Sequence, residues 1–348
     1  MPLTLKNILS AIADSKQGFT FGQPKRVDDN ALGIVLPILR KTAAHRNYTT
    51  FSEVEAEVFL TDTGMIDRVH AKNGTDQTVL IRSGMILKGK TQERVVVKSA
   101  VLAPGQEQDI EVRCVHASRP ISKQADMKYG GYVPDNLTRT IITTAGSTDQ
   151  GVIWNEVRGA TACYFSIQGR GSSMGIPHQT YTAVDGDSII AENAAAIVHG
   201  GEYVVPASDD LFGSISKFAA GMADKLGKIT RLDNQAGMAL LTENGCETLE
   251  AYDVPQSWEA MHEAAIARSG ETLFRMDEDS AFEYKPERAV GQVQTVLRQE
   301  YDQRVLYEHR PSNGEAHVRI VSLTGPTHVG QAVEIDKRVA HLILVRKA

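Results

Sequence analysis

The chain holds few of the residues that usually announce chemistry. Its 348 residues include only 3 cysteines, and Cys114, Cys163 and Cys246 are scattered, with no Cys-x-x-Cys and no histidine pair at ligand spacing. That excludes the common zinc-binding patterns, so no metal is expected, and it suits the reduced thiols of a cytoplasmic protein. Basic residues never run to five in a row, and 37 Lys and Arg against 43 Asp and Glu leave a net charge of −6. Nucleic-acid binding normally needs the opposite sign, so no nucleic-acid partner is expected. No window approaches eighteen apolar residues, which leaves no candidate for a membrane-spanning helix. The opening residues Met1 to Lys16 have a helical rhythm interrupted by acidic and polar positions, unlike a secretory signal.

Nucleotide signatures are incomplete as well. Gly169 to Gly175 reads Gly-x-Gly-x-x-x-Gly and lacks the Gly-Lys-Ser/Thr ending of a P-loop. The Gly/Ser-rich stretch from 164 to 187 is read as a connection, with Arg170 and His178 placed to make it a lid. No cofactor follows from these residues.

What is present is ordinary globular material: 42% hydrophobic and 23% charged residues, enough for one large or two ordinary domains. Leu80 to Arg119 carries the most information. Runs of Val, Ile and Leu broken by Gly84, Gly89 and Pro104-Gly105 predict three or four strands joined by tight turns. Upstream, Leu5, Ile8, Leu9 and Ile12 predict a short amphipathic helix, and Ala31 to Pro37 a buried strand. The alternation after Phe51 predicts another strand, with a helix left open there, and Leu137 to Thr144 reads as a strand too. Downstream, Leu211 to Leu226 predicts a helix. Gly237 to Tyr252 predicts a hairpin turning at Asn244-Gly245. Ser257 to Ala267 predicts a helix capped by Ser257 and ended by Gly270, and Arg288 to Leu297 another helix. Two terminal strands turn at Asp336-Lys337. Strands come in blocks, so the expected class is α+β with antiparallel pairing. A β-sandwich-like portion with a short N-terminal helix over residues 1–150 is expected to pack with a sheet-and-helix portion over 151–348, in two domains or one continuous one.

Several constellations invite a chemical reading. Gln92 and Arg94 share one strand face, where Arg94 suits clamping a carboxylate or phosphate and Gln92 suits donating hydrogen bonds. On the residues alone, a solvated face or a register-fixing ion pair is the commoner account of such a pair. Cys114 and His116 share a face, with Arg119 just beyond; a thiolate nucleophile beside an imidazole is one reading, a buried structural thiol the other. His317 and Arg319 share a face in one terminal strand, and His341 lies in the last. Trp154 and Trp258 read as core anchors, and Met276 to Ser280 as a solvated acidic loop.

The residues also carry a family resemblance. Phe21-Gly22-Gln23-Pro24 precedes an apolar strand, and Gly84, Leu87, Gly89, Gln92 and Arg94 form a spaced motif. Cys114, Val115 and Arg119 close the next strand. Asp149-Gln150 to Trp154, Asp253 with Trp258, and the terminal Gly314, Arg319, Val329-Gly330 and Val339-Ala-His341 follow. From about Phe19 to Val345 the chain resembles the ARG-and-rhodanese-phosphatase-superfamily-associated protein family, where ARG denotes ADP-ribosylglycohydrolase. His116 departs from the pattern, standing where that family more often has an acidic residue. The resemblance implies a component of prokaryotic conflict or NAD-metabolite systems, without an established activity. The leading expectation is a binding component for a small anionic or nucleotide-derived metabolite, with Gln92, Arg94, Arg119 and Arg319 as anion contacts. An enzyme of ADP-ribose or NAD metabolism using Cys114 or His116 stays open, as does a scaffold joining an oligomer or larger assembly.

Overall fold

The structure, a computed structural model, describes residues 4–27, 33–41, 45–90, 93–115, 123–145, 229–274, 286–311 and 316–347. Its centre is a nine-stranded antiparallel sheet drawn from both ends of the chain. In spatial order it runs β1 (Phe19–Phe21), β3 (Ile34–Arg40), β14 (Gln235–Thr242), β15 (Gly245–Tyr252), β19 (Arg338–Arg346), β18 (His328–Ile335), β17 (Val318–Thr324) and β16 (Asp302–His309), with β2 (Lys25–Arg26) also on β3. The strands between become two smaller sheets. One orders β12 (Lys123–Asp126), β5 (Val58–Thr63), β6 (Arg68–Asn73), β11 (Glu107–Cys114), β9 (Glu93–Val96), β8 (Met85–Lys88) and β13 (Lys128–Tyr132). The other orders β10 (Ala100–Leu102), β7 (Val79–Ile81) and β4 (Thr49–Thr50). Pairing is antiparallel as expected, except that β4 runs parallel to β7.

Both faces of the large sheet are covered, which is why β19 reads as the near-continuous apolar run Val-Ala-His-Leu-Ile-Leu-Val. On one face, Leu36, Ile38, Leu249, Leu342 and Leu344 pack with Ile8 and Ile12 of α1 (Leu5–Ala13) and Val293 of α5 (Pro286–Leu297). On the other, Met238, Leu240, Tyr252 and Val333 share a core with Ile81, Ile86, Val95 and Val112 of the smaller sheets. Trp258 of α3 (Pro255–Glu259) and Ala265 of α4 (His262–Phe274) complete it. The large sheet and the β-rich segment therefore share one core. The class is α+β, dominated by antiparallel strands.

The Asp336-Lys337 turn is where the sequence predicts it, and the β14–β15 turn sits one residue before the expected Asn244-Gly245. Asp336 and Lys337 both take positive φ, 52° and 63°, which matches the twist of the strands they join. Glu243 and Asn244 connect β14 to β15. Three local readings need correction. Residues 135–144 form helix α2 (Asp135–Thr144), because Leu137 and Ile141 are four apart and both fully buried. Their β-branched neighbours mimic a strand, and packing overrides that preference. The helix expected over Ser257 to Ala267 is two helices: Pro255 starts α3, and α4 runs through Gly270. Residues 51–57 make two 3₁₀ turns before β5 begins at Val58. The helix expected over 211–226 and the loop over 164–187 lie outside the described residues.

Candidate functional site

The structure scatters the residues the sequence singles out. Arg94 on β9 stands directly across from Cys114 on β11. The Arg94 guanidinium is fully buried, with Nη2 3.1 Å from both Asp62 oxygens and Nη1 donating to the Ile66 carbonyl at 2.7 Å. Its fork is thus engaged in an internal ion pair, and Cys114 is buried beside it. Gln92, His116 and Arg119 lie outside the described residues, as do Trp154, Glu156, Met276 to Ser280 and the Gly169 to Gly175 loop. Arg319 belongs to the other sheet, where Nη1 donates to Glu334 at 2.9 Å and the same carboxylate accepts the Leu5 N–H at the start of α1. His317 and His341 each have a separate acid: Glu308 at 3.2 Å and Glu250 at 2.9 Å. Among the described residues, no group of His, Cys, Asp and Glu could hold a metal ion.

Instead, two arginine clusters stand out. The first is sealed between the large sheet, α2, α4 and the β7–β8 turn. Glu250 on β15 receives Arg82 Nε at 2.5 Å and Nη2 at 3.2 Å, while Arg268 Nη2 pairs with it electrostatically at 2.7 Å, off line for a hydrogen bond. Arg268 also donates from Nε to Asp135 at 2.5 Å. None of these four side chains is more than 3% exposed. Burial alone raises a carboxyl pKa, yet the Arg268 and Arg82 guanidiniums together hold Glu250 well below its usual range. As Glu250 is an acceptor only, His341 presents Nε2–H to it. Burial pushes His341 below the ordinary histidine range, so it stays neutral. Two guanidiniums and two carboxylates cancel. Some polar atoms there lack hydrogen bonds, including Ser83 Oγ, Thr248 Oγ1 and both Arg268 Nη1 and Nη2, but no guanidinium lacks an ion-pair contact with a carboxylate.

The second cluster sits at one end of the large sheet. β3 and β15 run the same way and β19 runs opposite, so Arg40, Asp253 and Arg338 arrive together. Tyr48 donates its hydroxyl to Asp253 Oδ1 at 2.7 Å and accepts from Ser257 Oγ at 3.0 Å. Arg338 Nε lies 2.7 Å from Asp253 Oδ2, off line for a hydrogen bond, while its Nη2 donates to the His45 carbonyl at 3.1 Å. Arg46 forks onto Glu53 at 2.8 and 2.9 Å, and a capping box formed by Thr50 and Glu53 holds that carboxylate in place. Arg46 and Arg338 form the rim, 20% and 23% exposed.

Arg40 lies deeper. It is 5% exposed, stands 4.8 Å over the Phe19 ring, and neither Nε nor Nη1 has a hydrogen-bond partner. It feels Asp253 and Arg338 electrostatically without an ion-pair contact to Asp253, and burial pushes its pKa down. Burial raises the Asp253 carboxyl, against the pull of Arg338. Three guanidiniums here face two carboxylates. A charge this buried is ordinarily paired, so the corner has spare capacity for a negative group. The sequence signal was faint: a single charged residue closing an apolar run, as in Ile-Val-Leu-Pro-Ile-Leu-Arg40, and an Arg just after the Asp336-Lys337 turn.

A model of the ARG and Rhodanese-Phosphatase-superfamily-associated Protein domain, ARPP-1, matches residues 20–345. The chain belongs to the ARPP-1 family. That match reaches from β1 to β19, all but the first and last residue of the large sheet, so both arginine clusters fall inside the ARPP-1 domain. Searches of curated proteins and of solved structures found no match. No helix among the described residues is long and apolar enough to cross a membrane.

Proposed function

We propose that this ARPP-1 protein binds a small anionic metabolite at the sheet-end corner, with Arg40 at its base and Arg46 and Arg338 at its rim. The observation that carries the reading is Arg40, a buried guanidinium with two unpartnered nitrogens beside an excess of positive charge. Arginine suits the task because its planar fork matches carboxylate and phosphate oxygens two at a time. A nucleotide-derived ligand in a cytoplasmic conflict or NAD-metabolite system fits the family's association with ADP-ribosylglycohydrolases. This reading places the anion contacts on different arginines from those the sequence suggested, because Arg94 and Arg319 already hold Asp62 and Glu334.

The test is a thermal-shift screen of the purified protein against inorganic phosphate, phosphosugars, ADP-ribose and NAD. A ligand at one hundred times its dissociation constant adds about 2.7 kcal/mol to the folded state, a readily visible shift. The shift should vanish in Arg40→Met while the unliganded variant keeps its melting temperature. A shift that survives Arg40→Met removes the assignment.

A further inference from the structure

The corner holds more than spare positive charge. Asp253 Oδ2 has no hydrogen bond, since Arg338 Nε approaches it off line, and the Asp253 side chain is fully buried. Unpartnered donors on Arg40 and an unpartnered acceptor on Asp253 are thus brought to the same sheet end, near enough to interact electrostatically but without an ion-pair contact. A simple anion satisfies the Arg40 donors and leaves the carboxylate worse off, because it brings a like charge near Asp253. A ligand with a hydroxyl close to its anionic group satisfies both: the anion accepts from Arg40, and the hydroxyl donates to Asp253 Oδ2. The rest of the wall supports this polarity. The other Asp253 oxygen is occupied by Tyr48, whose hydroxyl is itself held by Ser257, so the free lone pairs are aimed by a fixed chain of hydrogen bonds.

We infer that the corner selects hydroxylated anions, such as sugar or polyol phosphates and 2-hydroxy acids, over bare anions of the same charge, with Asp253 reading the hydroxyl and Arg40 the charge. This rests on the anion-binding reading above. A buried acceptor left unpaired by the wrong ligand costs enough to discriminate strongly, as it does wherever a site is built to receive a hydroxyl.

The experiment compares glycerol 3-phosphate with propyl phosphate, which carry the same anion with and without hydroxyls, by titration calorimetry on the full chain. Glycerol 3-phosphate should bind at least about tenfold tighter, about 1.4 kcal/mol. Arg40→Met should abolish binding of both. Asp253→Asn should bring the two within about twofold by removing the charged acceptor that distinguishes them. Equal affinities in the wild type overturn the hydroxyl selection and leave the anion-binding reading standing. Absence of any Arg40-dependent anion binding overturns both. A preference that persists in Asp253→Asn removes Asp253 from the role. Should that variant fail to fold, a crystal of the wild type with glycerol 3-phosphate decides: either a ligand hydroxyl lies within hydrogen-bond reach of Asp253 Oδ2, or the inference falls.

Discussion

The two arginine clusters lie back to back. Tyr252 and His341 belong to the sealed one, and the adjacent Asp253 and Ala340 belong to the corner. In the sealed cluster every guanidinium meets a carboxylate and charge cancels, so its high desolvation cost is offset internally. In the corner, Arg40 is nearly as buried as Arg82 but makes no ion-pair contact with an acid. Burial and charge are therefore poor guides to a binding site by themselves. The informative quantity is the charge left over once internal partners are subtracted.

The largest effect should come from unbalancing the sealed cluster. Glu250→Gln removes the carboxylate shared by Arg82 and Arg268, and should cost about 3–5 kcal/mol in urea denaturation. Asp62→Asn, which strips Arg94 of its partner, should approach that figure by the same logic. If Glu250→Gln loses under 1 kcal/mol (about the value of an exposed pair), the distinction between sealed and open clusters fails.

Acid should act on the two regions with opposite signs. His341 is neutral when folded, and the unfolded chain takes up its proton below about 6.5, so stability falls as pH drops through that range. His328, buried against the Cys246 carbonyl and pushed down to about 4, adds a loss of up to about 3 kcal/mol between pH 6.5 and 4. Glu250 contributes fully above about 4.5, and its contribution is lost as pH falls below that value. Asp253 runs the other way: its carboxyl is raised, so protonation in the folded state relieves a cost. Denaturation midpoints measured from pH 7 down to 4 should therefore fall. His328→Gln should flatten the upper part of that slope, and an unchanged slope would show that His328 does not titrate as described.

Smaller effects are expected at the rim and at Arg40. Arg46→Ala breaks a partly exposed pair and should cost about 0.5–1 kcal/mol, reduced by added salt. Arg40→Met should be neutral or slightly stabilising without ligand, since it trades an unpaired buried charge for an apolar stem of similar length. A loss above about 2 kcal/mol would mean that Arg40 is paired in solution and the corner is no different from its neighbour.

Much of the fold is readable in sequence because local signals and packing agree. The α1 stripe, the Asp336-Lys337 turn and the run Val339 to Val345 need only periodicity and turn chemistry. Helix α2 misleads because Thr and Ile favour strands locally while Leu137 and Ile141 are buried at helical spacing. β16 goes unseen because it is a sheet edge with no fully buried residue, so it carries no apolar alternation. The candidate site is less legible still. Arg94 and Arg40 are both single arginines in apolar surroundings, and nothing nearby in sequence says that one finds Asp62 and the other finds no partner.

The sequence by itself determined the class of the protein, its dominance by antiparallel strands and its family, because each rests on patterns of a few residues repeated along the chain. The tertiary structure alone decided that β3 lies beside β14, and that Arg40 meets Asp253 and Arg338 at one sheet end. It also decided which arginines are neutralised and which is left over. The physical reason is range: turn and helix preferences act over three or four residues, whereas charge balance in a buried space depends on groups that pairing between distant strands brings together.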